Sequence, residues 1–342
     1  MGELKMETMN GNLVSIVLPV YNGEKFLAQS IESCLIQSHT NLELIIVNDC
    51  STDSSLEIAQ GYAAEDKRIR VYSNDRNLNL PASLNVGHRM AKGEFITWTS
   101  DDNFFEANAL EVMLEEILKY RVDIVYANFN IIIKNKTPEF KDVWTNSLTL
   151  LLGNNVGSCF LYKEEVFKRN NGYDEGMHTI EDYDFWLQSL VHFNFRHIPL
   201  VLYNHRAHEE SLTSQLRFQN KIMRESFEKK LEAAYRKFFQ NYNLENNGYP
   251  ELFKKFHLNQ KFNVYIFLKN YNRFKSDLIP IFEHVDKRKV LKEIDIKLRG
   301  NIFNFSPNQN FRTLFLLIKT RPFLLLQYNL KKSLRIILRS LT

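Results

Sequence analysis

Two adjacent carboxylates, Asp101 and Asp102, directly follow an apolar segment at residues 95–99. The β-branched and aromatic residues of this segment, with Gly93 before them, predict a buried strand. Open α/β sheets bind their ligands at the carboxyl ends of the strands. Paired carboxylates at such a point suit a divalent cation and, through that cation, a diphosphate. The alternative is a solvated Asp-Asp-Asn turn that only ends the strand.

A third carboxylate, Asp49, follows another apolar segment in the same way. Three strands and three helices are predicted around these acids: strands at residues 13–19, 42–48 and 69–73, and helices at 24–38, 54–65 and 81–90. Strands that alternate with helices predict a parallel, doubly wound sheet, which places Asp49 and Asp101 at one edge. The chain contains neither a Gly-x-Gly-x-x-Gly nor a Walker-type loop, which excludes a dinucleotide-binding or P-loop fold.

Four segments then occur in a characteristic order. They are residues 14–23 (Val-Ser-Ile-Val-Leu-Pro-Val-Tyr-Asn-Gly), 43–53 (Glu-Leu-Ile-Ile-Val-Asn-Asp-Cys-Ser-Thr-Asp), 85–87 (Asn-Val-Gly) and 93–102 (Gly-Glu-Phe-Ile-Thr-Trp-Thr-Ser-Asp-Asp). Together they resemble the family-2 glycosyltransferases, although Thr99 replaces the first acid of the family's usual Asp-x-Asp-Asp. The resemblance implies a GT-A fold, Rossmann-like with a doubly wound mixed sheet, over residues 13–215. Residues 1–12 are then a disordered extension, and residues 216–342 a mainly helical, basic region.

The resemblance assigns the walls of a nucleobase pocket to Pro19, Val20 and Tyr21, with Tyr21 stacking on the base. It also implies that Asp49 accepts a hydrogen bond from the base N3–H. Uracil and thymine carry a donor at N3, whereas cytosine carries an acceptor. A carboxylate at that edge therefore favours UDP or dTDP sugars over CDP sugars.

The resemblance also implies a metal site. Ser100 and Asp101 are expected beside the ribose and diphosphate, with Asp102 as ligand of a cation that bridges two phosphates. His208, in an Arg-x-His-x-x-Ser element, is expected to complete the shell of Mn²⁺ or Mg²⁺; an imidazole ligand suits Mn²⁺ better. The alternative is that His208 is structural, which is the interpretation adopted for its neighbour His205.

Another cluster of acids, Glu181, Asp182 and Asp184, opens a predicted helix. Negative charge is favourable at a helix N-terminus, so all three are explained equally by capping and first-turn electrostatics. In the resembled family the matching Glu-Asp pair provides the catalytic base. The resemblance therefore assigns Asp182 the removal of the acceptor hydroxyl proton, and a single displacement of this kind inverts the anomeric carbon.

Further elements are predicted along the rest of the chain: a helix at 108–120, strands at 123–133 and 199–203, a loop at 137–143, and helices at 216–242 and 252–273. One loop departs from the family pattern. There, Asn79 and Leu84 stand where many members carry glycine and a basic residue.

Charge divides the chain into an acidic and a basic part. Residues 217–342 contain 26 Lys and Arg against 10 Asp and Glu, and the remaining residues contain 18 against 30. Because the basic charges alternate with leucine and isoleucine clusters, we expect peripheral contact with the inner face of a membrane and no nucleic-acid binding. The alternative is a helical subdomain that packs on the catalytic domain. Three scattered cysteines, a polar N-terminus and the lack of a long apolar run favour a cytoplasmic protein without a spanning helix.

These features predict an inverting, metal-dependent glycosyltransferase. Its donor is expected to be a UDP or dTDP sugar, and its acceptor a glycan or lipid-linked hydroxyl, as in bacterial polysaccharide or cell-envelope biosynthesis. A sugar nucleotidyltransferase is the alternative with the same fold, although the first strand is followed by Val20-Tyr-Asn-Gly rather than a glycine-rich loop. A non-catalytic protein that binds a nucleotide sugar is the alternative of a different class.

Overall fold

The computed structural model describes most of the chain: residues 11–133, 136–141, 147–209, 211 and 221–282, with short pieces at 288, 291–292, 294–296, 315–316 and 318–319. The predicted extension at residues 1–12 and the tail at 311–342, which carries the predicted membrane contact, lie almost wholly outside the described residues.

The described strands belong to one sheet. They are β1 (Val14–Val20), β2 (Leu42–Asn48), β3 (Ile69–Ser73), β4 (Phe95–Trp98), β5 (Phe104–Phe105), β6 (Ile124–Ile133), β7 (Glu139–Lys141), β8 (Phe160–Lys163) and β9 (Phe195–Ala207). The helices with both ends described are α1 (Leu27–Leu35), α2 (Ser55–Glu65), α3 (Leu80–Met90), α4 (Ala109–Tyr120), α5 (Glu164–Asn170), α6 (Glu181–Ser189), α7 (Lys221–Gln240), α8 (Tyr249–His257), α9 (Val264–Lys269) and α10 (Tyr271–Leu278).

One half of the sheet is parallel, in the order β3-β2-β1-β4. Every residue of β1 and β2 is buried, as expected for central strands with both faces covered by helices. Helix α3 packs closely on β1 because Gly87 carries no side chain: a Cβ there would lie 2.3 Å from Cγ1 of Val17. The carboxyl ends of these parallel strands meet at one edge, so the predicted doubly wound arrangement is confirmed here.

The other half of the sheet is mixed. Strand β8 is antiparallel to β4 and β6, β6 is parallel to β9, and β5 is antiparallel to β9. A wholly parallel sheet is therefore wrong for this half, and the mixed sheet implied by the resemblance is confirmed. Parallel neighbours need a crossover connection, usually an α-helix, and the described residues between β6 and β8 contain none.

The predicted loop at residues 137–143 is also corrected. It contains β7, which pairs with β6 and sets Phe140 opposite Asn130. All three residues of β7 are exposed, so no hydrophobic alternation marks the strand. Its pairing depends on the long neighbouring strand rather than on its own sequence.

The chain divides into two compact units, one of residues 1–147 and 155–230 and the other of residues 148–154 and 231–342. The described core of the second unit is aromatic and includes Phe238, Phe253 and Phe274. The single helix predicted at 252–273 is wrong, because α8, α9 and α10 occupy this stretch. The second of these has its own N-cap: Asn263 Oδ1 accepts a hydrogen bond from the Ile266 N–H at 3.0 Å.

In the part of the chain that the structure describes, no helix has the length and apolar character needed to cross a membrane.

Candidate active site

A cleft of about 580 Å³ lies at the edge where β1, β2 and β4 end. All nine residues with predicted site roles line it: Pro19, Val20, Tyr21, Asp49, Ser100, Asp101, Asp102, Asp182 and His208. The structure therefore brings the predicted donor, metal and base residues into one place, although their individual roles remain predictions.

Asp49 follows β2 and is only 3% exposed. Its backbone N–H donates to the Val20 carbonyl at 2.8 Å, which ties the ends of β2 and β1 together. Its Oδ1 accepts hydrogen bonds from Asn74 Nδ2 and from the Leu78 N–H, both at 2.8 Å. Neither bond uses Oδ2, and no other described residue donates to it. The carboxylate is therefore held in position with one oxygen left to accept from a ligand.

Asp101 packs against the turn that follows β1. A Cβ on Gly23 would lie 2.2 Å from Oδ2 of Asp101, so only glycine leaves room for this carboxyl. Burial, followed by the charge of Asp102, raises the pKa of Asp101 from 3.8 to about 7, and a backbone hydrogen bond from Tyr21 opposes the shift. The Asp101 carboxyl therefore resists ionisation in this position.

Strand register explains why Asp102 meets His208. β5 runs antiparallel to β9 with Phe104 opposite Asn204, which brings residue 102 beside Arg206. Arg206 Nε donates to the Asp102 carbonyl at 2.9 Å. Two residues further on, His208 Nε2 lies 2.9 Å from Asp102 Oδ2.

The Asp102–His208 pair fits a divalent cation. Asp102 Oδ1 and His208 Nδ1 are buried without a hydrogen-bond partner in the described structure. The 2.9 Å between Asp102 Oδ2 and His208 Nε2 places the two side chains close enough together to bind one ion. The described residues contain no cluster of three or more metal-ligating side chains.

The acid cluster stands at the start of α6, whose N-cap residue makes no side-chain capping bond. Glu181 Oε2 accepts from the Thr179 N–H at 2.7 Å, and Asp184 Oδ1 accepts from Gln188 Nε2 at 3.2 Å. Both of these acids are buried. Asp182 is half-buried and lines the cleft, whereas Asp184 does not. Asp182 is therefore the more accessible of the two aspartates to a substrate.

Comparison with known proteins decides the family. The sequence profile of Glycosyl transferase family 2 matches residues 15–170. An uncharacterized glycosyltransferase of Haemophilus influenzae is 34% identical over 203 residues, which cover 58% of this chain and 78% of that protein. The chain belongs to glycosyl transferase family 2. Glycosyltransferase GlyG of Streptococcus pneumoniae serotype 4 is also 34% identical, over 117 residues that cover 34% of this chain and 39% of GlyG.

Solved structures support the fold of this glycosyltransferase. The crystal structure of S. aureus TarS 1-349 in complex with UDP-GlcNAc has a TM-score of 0.58, 19% identity, and coverage of 96% of this chain and 89% of that one. Similarity at this level of identity establishes the shared fold, and the predicted GT-A class is confirmed.

Several residues of the glycosyltransferase cleft have no assigned role from the sequence. Among them are Asn22, Phe26, Asn79, Trp98, His178, Thr179 and Tyr203. Thr179 has a φ of 85°, which a β-branched residue rarely adopts, and no sequence pattern reveals it. His205, interpreted as a packing residue, does place its ring 6.1 Å from that of Phe129, but it also lines the cleft.

We expect the stability of the glycosyltransferase to depend on pH through Glu181. Burial and then the charge of Asp182 raise the pKa of Glu181 from 4.5 to about 8. Between those values the folded state binds more protons than the unfolded state. The free energy of unfolding therefore falls as pH rises through this window, by at most about 1.4 kcal/mol per pH unit. We expect Glu181→Gln to be more stable than the parent at pH 9 and to lose that advantage towards pH 5, as measured by urea unfolding.

The exposed residue Glu165 provides the control, because Glu165→Gln should shift the unfolding curve equally little at both pH values. A Glu181→Gln variant whose stability relative to the parent is the same at pH 5 and pH 9 would contradict the assignment of a raised pKa to Glu181.

Proposed function

We propose that this glycosyltransferase transfers a sugar from a UDP or dTDP sugar, depends on a divalent cation, and inverts the anomeric centre. The observation that carries the proposal is the single cleft that contains Asp49, the Asp102–His208 pair and Asp182. TarS, which shares the fold, has been crystallised with UDP and with UDP-GlcNAc, and this supports a uridine nucleotide as the donor carrier.

The nucleotide end of the cleft suits uracil or thymine. Asp49 is fixed through Oδ1 by two donors and keeps Oδ2 for the base N3–H. Tyr21 is 51% exposed at the cleft, so its ring face is available to stack on the base. Cytosine would direct its N3 lone pair at the Asp49 carboxylate, and the resulting repulsion disfavours CDP sugars.

Asp102 and His208 are the residues that would hold Mn²⁺ or Mg²⁺. Such a cation would supply positive charge against the departing diphosphate. Two contacts within the fold position these residues. Arg206 donates a hydrogen bond to the Asp102 backbone carbonyl, and the Phe26 ring lies 5.5 Å from the His208 ring. The guanidinium of Arg206 lies 4.2 Å from the same Phe26 ring, which restricts both side chains.

Asp182 serves as the general base in this proposal. Its carboxylate takes the proton of the acceptor hydroxyl while that oxygen bonds to the anomeric carbon. The bond from this carbon to the diphosphate breaks on the opposite face, and the electron pair leaves with the nucleoside diphosphate. One displacement without a covalent enzyme intermediate inverts the configuration. The acceptor is proposed to be a glycan or lipid-linked hydroxyl.

A panel of nucleotide sugars tests the proposal. We expect hydrolysis of UDP or dTDP sugars in Mn²⁺ or Mg²⁺, little hydrolysis of CDP sugars, and loss of activity in EDTA. Proton NMR of the released sugar, recorded before mutarotation, should show the opposite anomer from the donor. Retention of configuration would contradict the single displacement, and binding of a UDP sugar without any turnover would favour a non-catalytic protein.

A further inference from the structure

Asn79 has a backbone conformation that is unusual for any residue except glycine. It precedes α3 with φ of 68° and ψ of 166°. Asparagine tolerates the left-handed helical region, where ψ is about 30–60°, but not the extended region at positive φ, which is populated essentially by glycine alone. The chain therefore maintains strain at this position.

Nothing in the described fold compensates for this strain through the Asn79 side chain. Its backbone N–H donates to Asn77 Oδ1 at 3.0 Å, but the side chain makes no capping bond to α3. No other hydrogen bond of the Asn79 amide is found among the described residues. The residue is exposed and lines the cleft. Strain kept without a contact inside the fold is typical of ligand-binding positions.

The position of Asn79 points to the nucleoside. The preceding residue, Leu78, donates its N–H to Asp49 Oδ1 at 2.8 Å, so the Asn79 backbone is one residue from the carboxylate proposed to bind the base. Asn79 and Ser83 both line the cleft; Ser83 Oγ accepts from Asn74 Nδ2 at 2.9 Å, and the Ser83 hydroxyl keeps its own proton to donate. The Asn79 amide remains available as a donor.

We propose that Asn79 binds the nucleoside of the donor, with its amide donating to a pyrimidine carbonyl beside the N3–H accepted by Asp49. This inference rests on the proposed function, because it requires the donor nucleotide to occupy this cleft. An amide N–H complements a carbonyl. The Asn79 amide and the Asp49 carboxylate together would match a carbonyl and the adjacent N3–H on the uracil edge.

Substitution of Asn79 should separate stability from binding. We expect Asn79→Gly to raise Tm by about 2–5 °C, because glycine adopts the backbone conformation without strain. The same variant should weaken UDP binding by about 3- to 10-fold, as expected for the loss of one neutral hydrogen bond. Asn79→Ala should weaken UDP equally without the gain in Tm. Calorimetric titration and thermal unfolding measure the two effects.

Asn171→Gly is the matched control, since Asn171 also has a positive φ, of 56°, but ends α5 and does not line the cleft. It should leave UDP affinity unchanged. The loss of affinity in Asn79→Gly should be equal for UDP and UMP, because both ligands carry the nucleoside. A loss confined to UDP would overturn the nucleoside assignment in favour of the diphosphate.

One further outcome would overturn the inference alone: an Asn79→Gly variant that binds UDP as tightly as the parent. A parent protein that binds none of UDP, dTDP, CDP, GDP or ADP would instead overturn the proposed function itself, and the role of Asn79 with it.

Discussion

Asp182→Asn is expected to slow turnover of the donor sugar by about 10²- to 10⁴-fold, the usual effect of removing a general base. Asparagine has nearly the same size as aspartate but cannot take a proton from the attacking hydroxyl. UDP affinity should stay within a few-fold of the parent, because Asp49 and Tyr21, which are proposed to bind the nucleotide, are unchanged. Hydrolysis of the best donor from the panel, together with calorimetric titration of UDP, measures both quantities.

Asp184→Asn is the matched control for this variant. Asp184 lies one half-turn further along α6, is buried, and accepts a hydrogen bond from Gln188. Its replacement should act on the free energy of unfolding more than on the rate. Turnover of Asp182→Asn at close to the parent rate would remove the base role from Asp182. A folded Asp184→Asn protein that alone is inactive would transfer the role to Asp184.

The parallel half of the sheet was predictable because its signals are local. The uninterrupted apolar runs of β1 and β2 reflect burial on both faces, and the acid after each of β2 and β4 marks the edge where ligands bind. In such a sheet, direction alone brings the ends of neighbouring strands together. The shared position of Asp49 and Asp101 therefore followed from secondary structure without knowledge of packing.

The proximity of Asp102 and His208 was not derivable from local signals. The two residues are 106 positions apart. Their contact depends on pairing between the two-residue strand β5, which has no detectable periodicity, and the carboxyl end of β9. The resemblance to a family supplied this pair, whereas propensity and periodicity did not.

Backbone conformation was the least predictable property of the site. The positive φ values of Asn79 and Thr179 arise from how the loops enter α3 and α6. Only glycine indicates in a sequence that a residue has a positive φ. The prediction of a single helix at residues 252–273 was wrong for a similar reason. The apolar residues keep a helical spacing across residues 252–273, but Asn259 with φ of 50° and the Asn263 cap divide the stretch.

Asp102→Ala is expected to abolish the dependence of UDP binding on Mn²⁺ or Mg²⁺. Loss of an outer partner of a metal ligand already lowers metal affinity by about 10- to 100-fold, so loss of a ligand should lower it by at least about 100-fold. The Arg206 hydrogen bond goes to the Asp102 backbone carbonyl, so alanine keeps it and the loop should stay in place. Calorimetric titrations of UDP with Mn²⁺ and with EDTA should then give nearly equal affinities.

Two further variants test whether the effect of Asp102→Ala comes from the loss of a metal ligand. Asp75→Ala removes an equal charge from an exposed loop residue that does not line the cleft, and it should keep the full effect of Mn²⁺. His208→Ala should weaken binding in Mn²⁺ more than in Mg²⁺, because imidazole is the better ligand for Mn²⁺. If Asp102→Ala still bound UDP with the parent's dependence on the cation, the carboxylate would not be a ligand. The 2.9 Å contact between His208 and Asp102 would then be an ordinary hydrogen bond that stabilises the fold.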